Sequence, residues 1–288
     1  MTSFRRCPLF WTTRSRQQRV TPIQEASNSG PTATRRRPCS NKIDATFAQG
    51  FAAQAKALAL LGQKSSSLKA LTAGLSVAND DQARANIFLA RGDLYLDSNL
   101  FQKALDDFDD AFELQPTNYV AAHRRGQAMR SLAVEEFAAA NPNASSLMQQ
   151  ALASFDLALT LKPDSVEVLS DRAGLHSDLG QLDEAVKDLG DAMAVSPDDD
   201  AMRYQLAVLH LRRASASEAR NEAEQASKRT ELQTAIDLLT AALPIADESP
   251  DKDAQDESET RLARTLAHGE LAAQTKDATT RRAHYEAA

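Results

Sequence analysis

Five histidines, two cysteines and forty acidic residues are the side chains from which this 288-residue chain could build a reacting or metal-binding centre. Such chemistry needs fixed neighbourhoods: a nucleophile beside a base, two facing carboxylates, or three or more ligands at metal spacing. None is written in the string, which contains no GxSxG, HExxH, GxGxxG or phosphate-cradling GxxxxGKS/T motif. Cys7 precedes Pro8 and Cys39 precedes Ser40, with no second CxxC partner and no nearby histidine, so zinc is not expected. The acidic run DESPDKDAQDESE, Asp247 to Glu259, lacks the glycine turn and ligand spacing of a calcium loop and reads as a solvated linker around Pro250. Among His123, His176, His210, His268 and His284, the pair His176 and His210 falls where Tyr95 stands in a related segment, a helix-packing position. The chain is therefore expected not to be an enzyme and to carry no cofactor or metal, which leaves binding as its chemistry.

Charge divides the chain before any fold is considered. Residues 1–43 hold nine basic side chains, among them Arg5, Arg6, Arg35, Arg36 and Arg37, against Glu25 alone. That gives +8 at the front and −15 behind, within a formal net charge of −7. The front is rich in Ser, Thr and Pro and shows no sustained apolar period, so it reads as a disordered leader. It is expected to be an unstructured segment without a role in the mature protein; its composition also suits an organellar import signal, or an arm reaching nucleic acid or an anionic membrane, and the lack of a hydrophobic centre argues against a secretory signal. Absent import, the cytoplasm is the expected location. The longest apolar run, Ala55 to Leu61, is interrupted by Lys56 and is far too short to span a bilayer.

The elements behind the leader follow from one period. Gly92 to Gly126, Ala151 to Ala185, Phe155 to Leu189 and Pro163 to Pro197 are each separated by 34 residues. Ala104 to Ala151, Phe108 to Phe155 and Pro116 to Pro163 are each separated by 47, the same period with one insertion of 13. Ala185 to Ala235 is 50, an insertion of 16. Phe88, Gly92 and Tyr95 share one helical face, and Ala104, Phe108 and Ala111 repeat that spacing on a second helix that Pro116 ends. Thr117 and Asn118 then cap the next helix, and Asp164 to Glu167 has capping-box spacing. The unit is an antiparallel helix pair in which small residues let the helices approach and aromatic ones fill the space beside them.

FLARGDLYLDSNLFQKALDDFDDAFELQP from Phe88 and LSDRAGLHSDLGQLDEAVKDLGDAMAVSP from Leu169 resemble the tetratricopeptide repeat over nearly a whole unit. The expected fold is all-α, a right-handed α-solenoid of stacked antiparallel helix pairs behind the disordered leader. Strong units are expected at 85–118, 119–165, 166–199 and 200–247, degenerate ones at 48–81, turning at Gly62, and at 262–288, with an acidic linker at 248–261. Insertions around Ala133–Met148, exposing Phe137 and Leu147, and around Arg213–Leu232, a long charged helical extension, project from one edge.

The resemblance implies a concave groove lined by first helices, and hence a protein or peptide partner rather than a small-molecule substrate. The groove stripe is Asp93 and Asp97 in one unit, His123, Arg124, Gln127 and Arg130 in the next, then Asp171 and Asp178, then Tyr204 and Arg212. Its charge alternates, which would select a ligand with the complementary order. Relatives that hold chaperone tails use Lys, Asn and Arg in a carboxylate clamp; here Leu89 and Asp93, then Arg124, then Glu167 and Asp171 stand at the matching places, so that ligand is disfavoured, and only Arg124 and Arg130 could hold a ligand carboxylate. The rival roles are an assembly subunit acting through ends and insertions, and an adaptor acting through its leader.

Overall fold

The computed structural model describes residues 39–242, 254–275 and 278–287, all within one compact unit, Cys39–Ala288. The leader up to residue 38 and the part of the acidic linker around Pro250 lie outside the described residues. Among the described residues there are twelve helices and no strand. They run α1 Cys39–Leu60, α2 Lys64–Val77, α3 Asp81–Leu96, α4 Phe101–Leu114, α5 Tyr119–Ala138, α6 Asn143–Leu161, α7 Val166–Asp178, α8 Leu182–Val195, α9 Asp200–Ala216, α10 Glu222–Ala242, α11 Ala254–Gln274 and α12 Ala278–Ala287. Consecutive helices pack as antiparallel pairs, and each second helix leans on the first helix of the next pair, which is the stacking of a solenoid.

The pairs are closed by small residues beneath large ones. A Cβ on Gly92 would stand 2.8 Å from Cδ1 of Phe108, and one on Gly126 would stand 2.7 Å from Cε1 of Phe155. In the next two pairs the same places hold Ala173 with Leu189 and Ala207 with Leu239, each duo within one buried cluster. The upper side chain shrinks where the lower one grows, so the helix separation is kept.

The turns inside the first five pairs share a device that the sequence reading saw only at Gly62. Each places one residue in the left-handed region: Gly62, Asn99, Ala140, Gly180 and Ala219. In the first four, the next residue donates its N–H to the carbonyl five back, as Gln63 to Leu58 at 2.9 Å and Gln181 to His176 at 2.8 Å. This is a Schellman ending, which satisfies carbonyls the helix would leave open.

Several boundaries differ from those expected. Helix α1 begins at Cys39, inside the expected leader, and α3 begins at Asp81 because Asp80 Oδ1 accepts from the Ala83 N–H at 2.7 Å. Residues 254–261 are helix, not linker; no Pro or Gly follows Pro250 there, and Asp256 and Glu257 fall at the N-terminal end, where the helix dipole favours acids. The second insertion is not one continuous helix. It breaks at Ser217–Asn221, where Asn221 Oδ1 accepts from the Glu224 N–H at 2.9 Å and Glu224 Oε2 accepts from the Arg220 N–H at 2.6 Å. The box expected from Asp164 does not form: Ser165 occupies the cap position and its hydroxyl donates to Glu167 Oε2 at 3.0 Å. At the first insertion Phe137 is exposed, whereas Leu147 is half-buried.

A ladder of ion pairs between the helix layers was also missed. Arg91 clasps Asp107, Nη2 to Oδ1 2.6 Å and Nε to Oδ2 2.7 Å, and Arg172 clasps Asp188 in the same way while also reaching Asp156 at 2.6 Å. Arg125 turns back to Asp109. Asp107 and Asp188 are only 3% and 2% exposed, so these carboxylates are buried only because each meets a two-pronged guanidinium.

Candidate functional site

The first helices α3, α5, α7 and α9 carry the predicted groove stripe, and the structure joins most of it into one cross-helix row. Arg124 on α5 sets Nε 3.1 Å from Asp93 Oδ1 on α3 and donates through Nη1 to Gln127 Oε1 at 2.7 Å. Gln127 in turn donates through Nε2 to Asp171 Oδ2 on α7 at 2.5 Å. The same oxygen meets His123 Nε2 at 2.6 Å. Further along, Arg130 forks onto Asp178 Oδ2 with Nε at 3.0 Å and Nη2 at 2.7 Å. Arg212 on α9 donates through Nη1 to the Ser177 hydroxyl at 2.7 Å.

The alternation of charge is therefore largely matched inside the protein, acid on one helix to base on the next. His123 is 7% exposed with its ring 5.8 Å from that of Phe155, so it lies beneath the groove surface. Asp97 is exposed at the end of α3 and takes no side-chain part in the row; its carbonyl accepts from Lys64 Nζ at 2.8 Å.

The two acids that anchor the row respond oppositely. Burial pushes the Asp93 carboxyl up, and the Arg124 charge only partly offsets this, because Oδ1 is shielded from solvent yet receives no hydrogen bond. Burial also acts to raise Asp171, but the hydrogen bonds from His123 and Gln127, with the charges of His123 and Arg130, overcome it and hold that carboxyl below the usual range.

A ligand-sized space lies at the far end of this row. First helices approach one another at α1 and α3, α3 and α5, α5 and α7, and α9 and α11, and α7 meets α9 through the shared core of Leu169, Ala173, Met202, Leu206 and Leu209 and the Arg212–Ser177 hydrogen bond. There a cleft of about 380 Å³ opens, lined from α5 by Arg130, from α7 by Ser170, Asp171, Gly174, Ser177 and Asp178, and from α9 by Tyr204, Gln205, Val208 and Arg212. Five of the ten predicted residues, Arg130, Asp171, Asp178, Tyr204 and Arg212, thus share one cavity. Gly174 contributes by its lack of a side chain: a Cβ there would stand 3.1 Å from Arg130 Nη1.

The remaining histidines make inter-helix contacts. His210 Nδ1 meets Glu231 Oε2 at 2.7 Å beside Arg213, and His176 Nδ1 meets Gln181 Oε1 at 2.7 Å. Among the described residues no three His, Cys, Asp or Glu side chains converge as a metal site would require.

Residues 85–118 match the family model of the tetratricopeptide repeat. That segment is one tetratricopeptide repeat unit, and the chain around it has the fold of a tetratricopeptide repeat solenoid. The same fold appears in a thermophilic tetratricopeptide repeat protein of Thermus thermophilus, at 18% identity and a TM-score of 0.53, covering 76% of this chain and 98% of that one. MamA from Desulfovibrio magneticus RS-1, in a form running from residue 41 to its end, aligns at 13% identity and a TM-score of 0.50, covering 68% of this chain and 96% of that one. At such identities the likeness is one of fold. No curated protein matches the sequence. Within the tetratricopeptide repeat solenoid, the signal for the ion-pair ladder was present as the 34 and 47 spacings of Arg91, Arg125 and Arg172.

Proposed function

We propose that this tetratricopeptide repeat solenoid is a protein-interaction scaffold that acts by binding, not catalysis, and that its ligand is an extended peptide segment seated between α7 and α9. The observation carrying this reading is the cleft of about 380 Å³ between α7 and α9, which gathers side chains of three successive first helices over the buried Ala173 and Leu189. Apolar Val208 and Leu209 line it beside polar Tyr204, Gln205 and Arg212, a mixture suited to a peptide's side chains and main chain together. The ionic row from Asp93 to Asp171 supports a different role, holding successive first helices in register, since its charges already have partners.

The test is selection of peptides from a displayed library against the full chain, followed by affinity measurements on Val208→Glu, Arg212→Glu and Phe137→Ser. The first two variants should weaken selected peptides tenfold or more, by roughly 1.4 kcal/mol each, and the third should leave them unchanged. Peptides indifferent to both cleft variants would refute the reading.

Assembly through an end of the solenoid is the second reading, favoured by Leu262 and Leu266, which lie one turn apart on α11 and are both exposed. Light scattering on Leu262→Ser/Leu266→Ser tests it: a wild-type oligomer that the variant dissociates supports assembly, and a wild-type monomer opposes it.

A further inference from the structure

The turn between α1 and α2 carries an apolar apex in basic surroundings. Leu60, the last residue of α1, is 81% exposed, and Leu61 beside it is 72% exposed. No large apolar side chain among the described residues is more exposed than Leu60. The turn is firmly built, with Gly62 at φ +73° and the Gln63 N–H on the Leu58 carbonyl at 2.9 Å, so the leucines are held at the tip.

The charge around this tip differs from that of the rest of the solenoid. Residues 45–79 contain Lys56, Lys64 and Lys69 and no Asp or Glu, whereas from Asp80 onward thirty-eight acidic residues face twenty-one basic ones. Lys56 lies one turn before Leu60 on the same face of α1, and Lys64 opens α2 just past the tip. All three lysines are exposed, and the one polar contact among them, Lys64 Nζ to the Asp97 carbonyl, leaves the charge without a carboxylate. The exposed Phe137 at the α5 tip stands beside Glu135 and Glu136 and lacks this complementarity.

We infer that the α1–α2 tip docks on an anionic lipid surface. Leu60 and Leu61 enter the boundary between headgroups and acyl chains, and Lys56, Lys64 and Lys69 face the phosphates and carboxylates of the headgroups. The acidic body would be repelled by such a surface, so the α1–α2 pair, whose one acid is Asp44 near the start of α1, is the part that approaches it. The protein lies on the membrane by this contact; no helix among the described residues is long and apolar enough to span.

The experiment uses the full chain with vesicles of phosphatidylcholine alone and of phosphatidylcholine with phosphatidylserine. Wild type should co-sediment with the anionic vesicles, and Leu60→Ser/Leu61→Ser, whose changes are on the surface and should leave thermal unfolding unaltered, should bind them roughly tenfold less tightly. Because the leader is also basic, a second readout locates the contact: the indole of Leu61→Trp in a Trp11→Phe chain should be quenched by lipids brominated on the acyl chain. Absence of vesicle binding, or binding that the double variant retains while the introduced indole stays unquenched, would overturn the inference, the latter outcome assigning attraction to another part of the chain.

Discussion

The Arg130 guanidinium reaches from α5 across Gly174 of α7 and forks onto Asp178, with Nη2 2.7 Å from Oδ2. This one side chain both pins two first helices together and forms a wall of the α7–α9 cleft. Gly174→Ala should therefore separate stability from binding. Its methyl displaces only the far end of a flexible side chain, while alanine is a better helix former by up to about 1 kcal/mol. Thermal unfolding should be unchanged or slightly raised, and affinity for cleft-selected peptides should shift.

Gly92 beneath Phe108 predicts a rescue. Gly92→Ala puts a Cβ into the ring and should cost about 1–3 kcal/mol in denaturant unfolding. Adding Phe108→Leu reproduces the Ala173 and Leu189 arrangement found two pairs later, and should recover part of that loss. A double variant no better than the sum of the singles would contradict size compensation.

Ala140 and Ala219 hold left-handed backbone with φ of 56° and 45°. Ala140→Gly and Ala219→Gly should each stabilise by up to about 1 kcal/mol, because glycine removes the Cβ clash that a left-handed residue suffers. Gly180→Ala, at φ 74°, should destabilise by a similar amount, and melting temperatures of the three variants check the sign.

The opposite shifts of Asp93 and Asp171 predict different pH behaviour. Asp171, depressed in the fold, contributes stability that is present above its unfolded pKa and lost as pH falls through the lower folded value. Asp171→Asn should therefore cost about 1–2 kcal/mol at neutral pH, and the deficit should shrink in acid. Asp93 is raised, so its ionised form is penalised on folding at neutral pH. Asp93→Asn should be neutral or mildly stabilising there, measured by urea unfolding at several pH values.

The helix pairs were legible because the 34-residue period survives both insertions: Gly92, Phe108 and Pro116 each find a counterpart at a fixed offset. Apolar packing imposes that period, and packing is what a periodic sequence records. The alternation of Asp93, Arg124 and Asp171 was legible too, but not its meaning, because spacing along the chain does not say whether opposite charges on adjacent helices meet one another or a ligand. The break at Ser217–Asn221 escaped because it contains no Pro or Gly; the reciprocal Asn221 and Glu224 bonds that start α10 were the available signal. Five residues lining the cleft lay in the predicted stripe, but the cleft itself was not legible, since it arises from how α7 and α9 are set against each other rather than from any residue type.

The most direct measurement of the binding account is site-specific photo-crosslinking in the full chain, with a benzophenone side chain at Val208 inside the cleft and at Phe137 on the α5 tip as the control. Adducts formed at Val208, absent at Phe137 and competed away by a library-selected peptide, are the predicted result. Adducts at Phe137 with none at Val208 would contradict it and move the binding surface to the solenoid's edge.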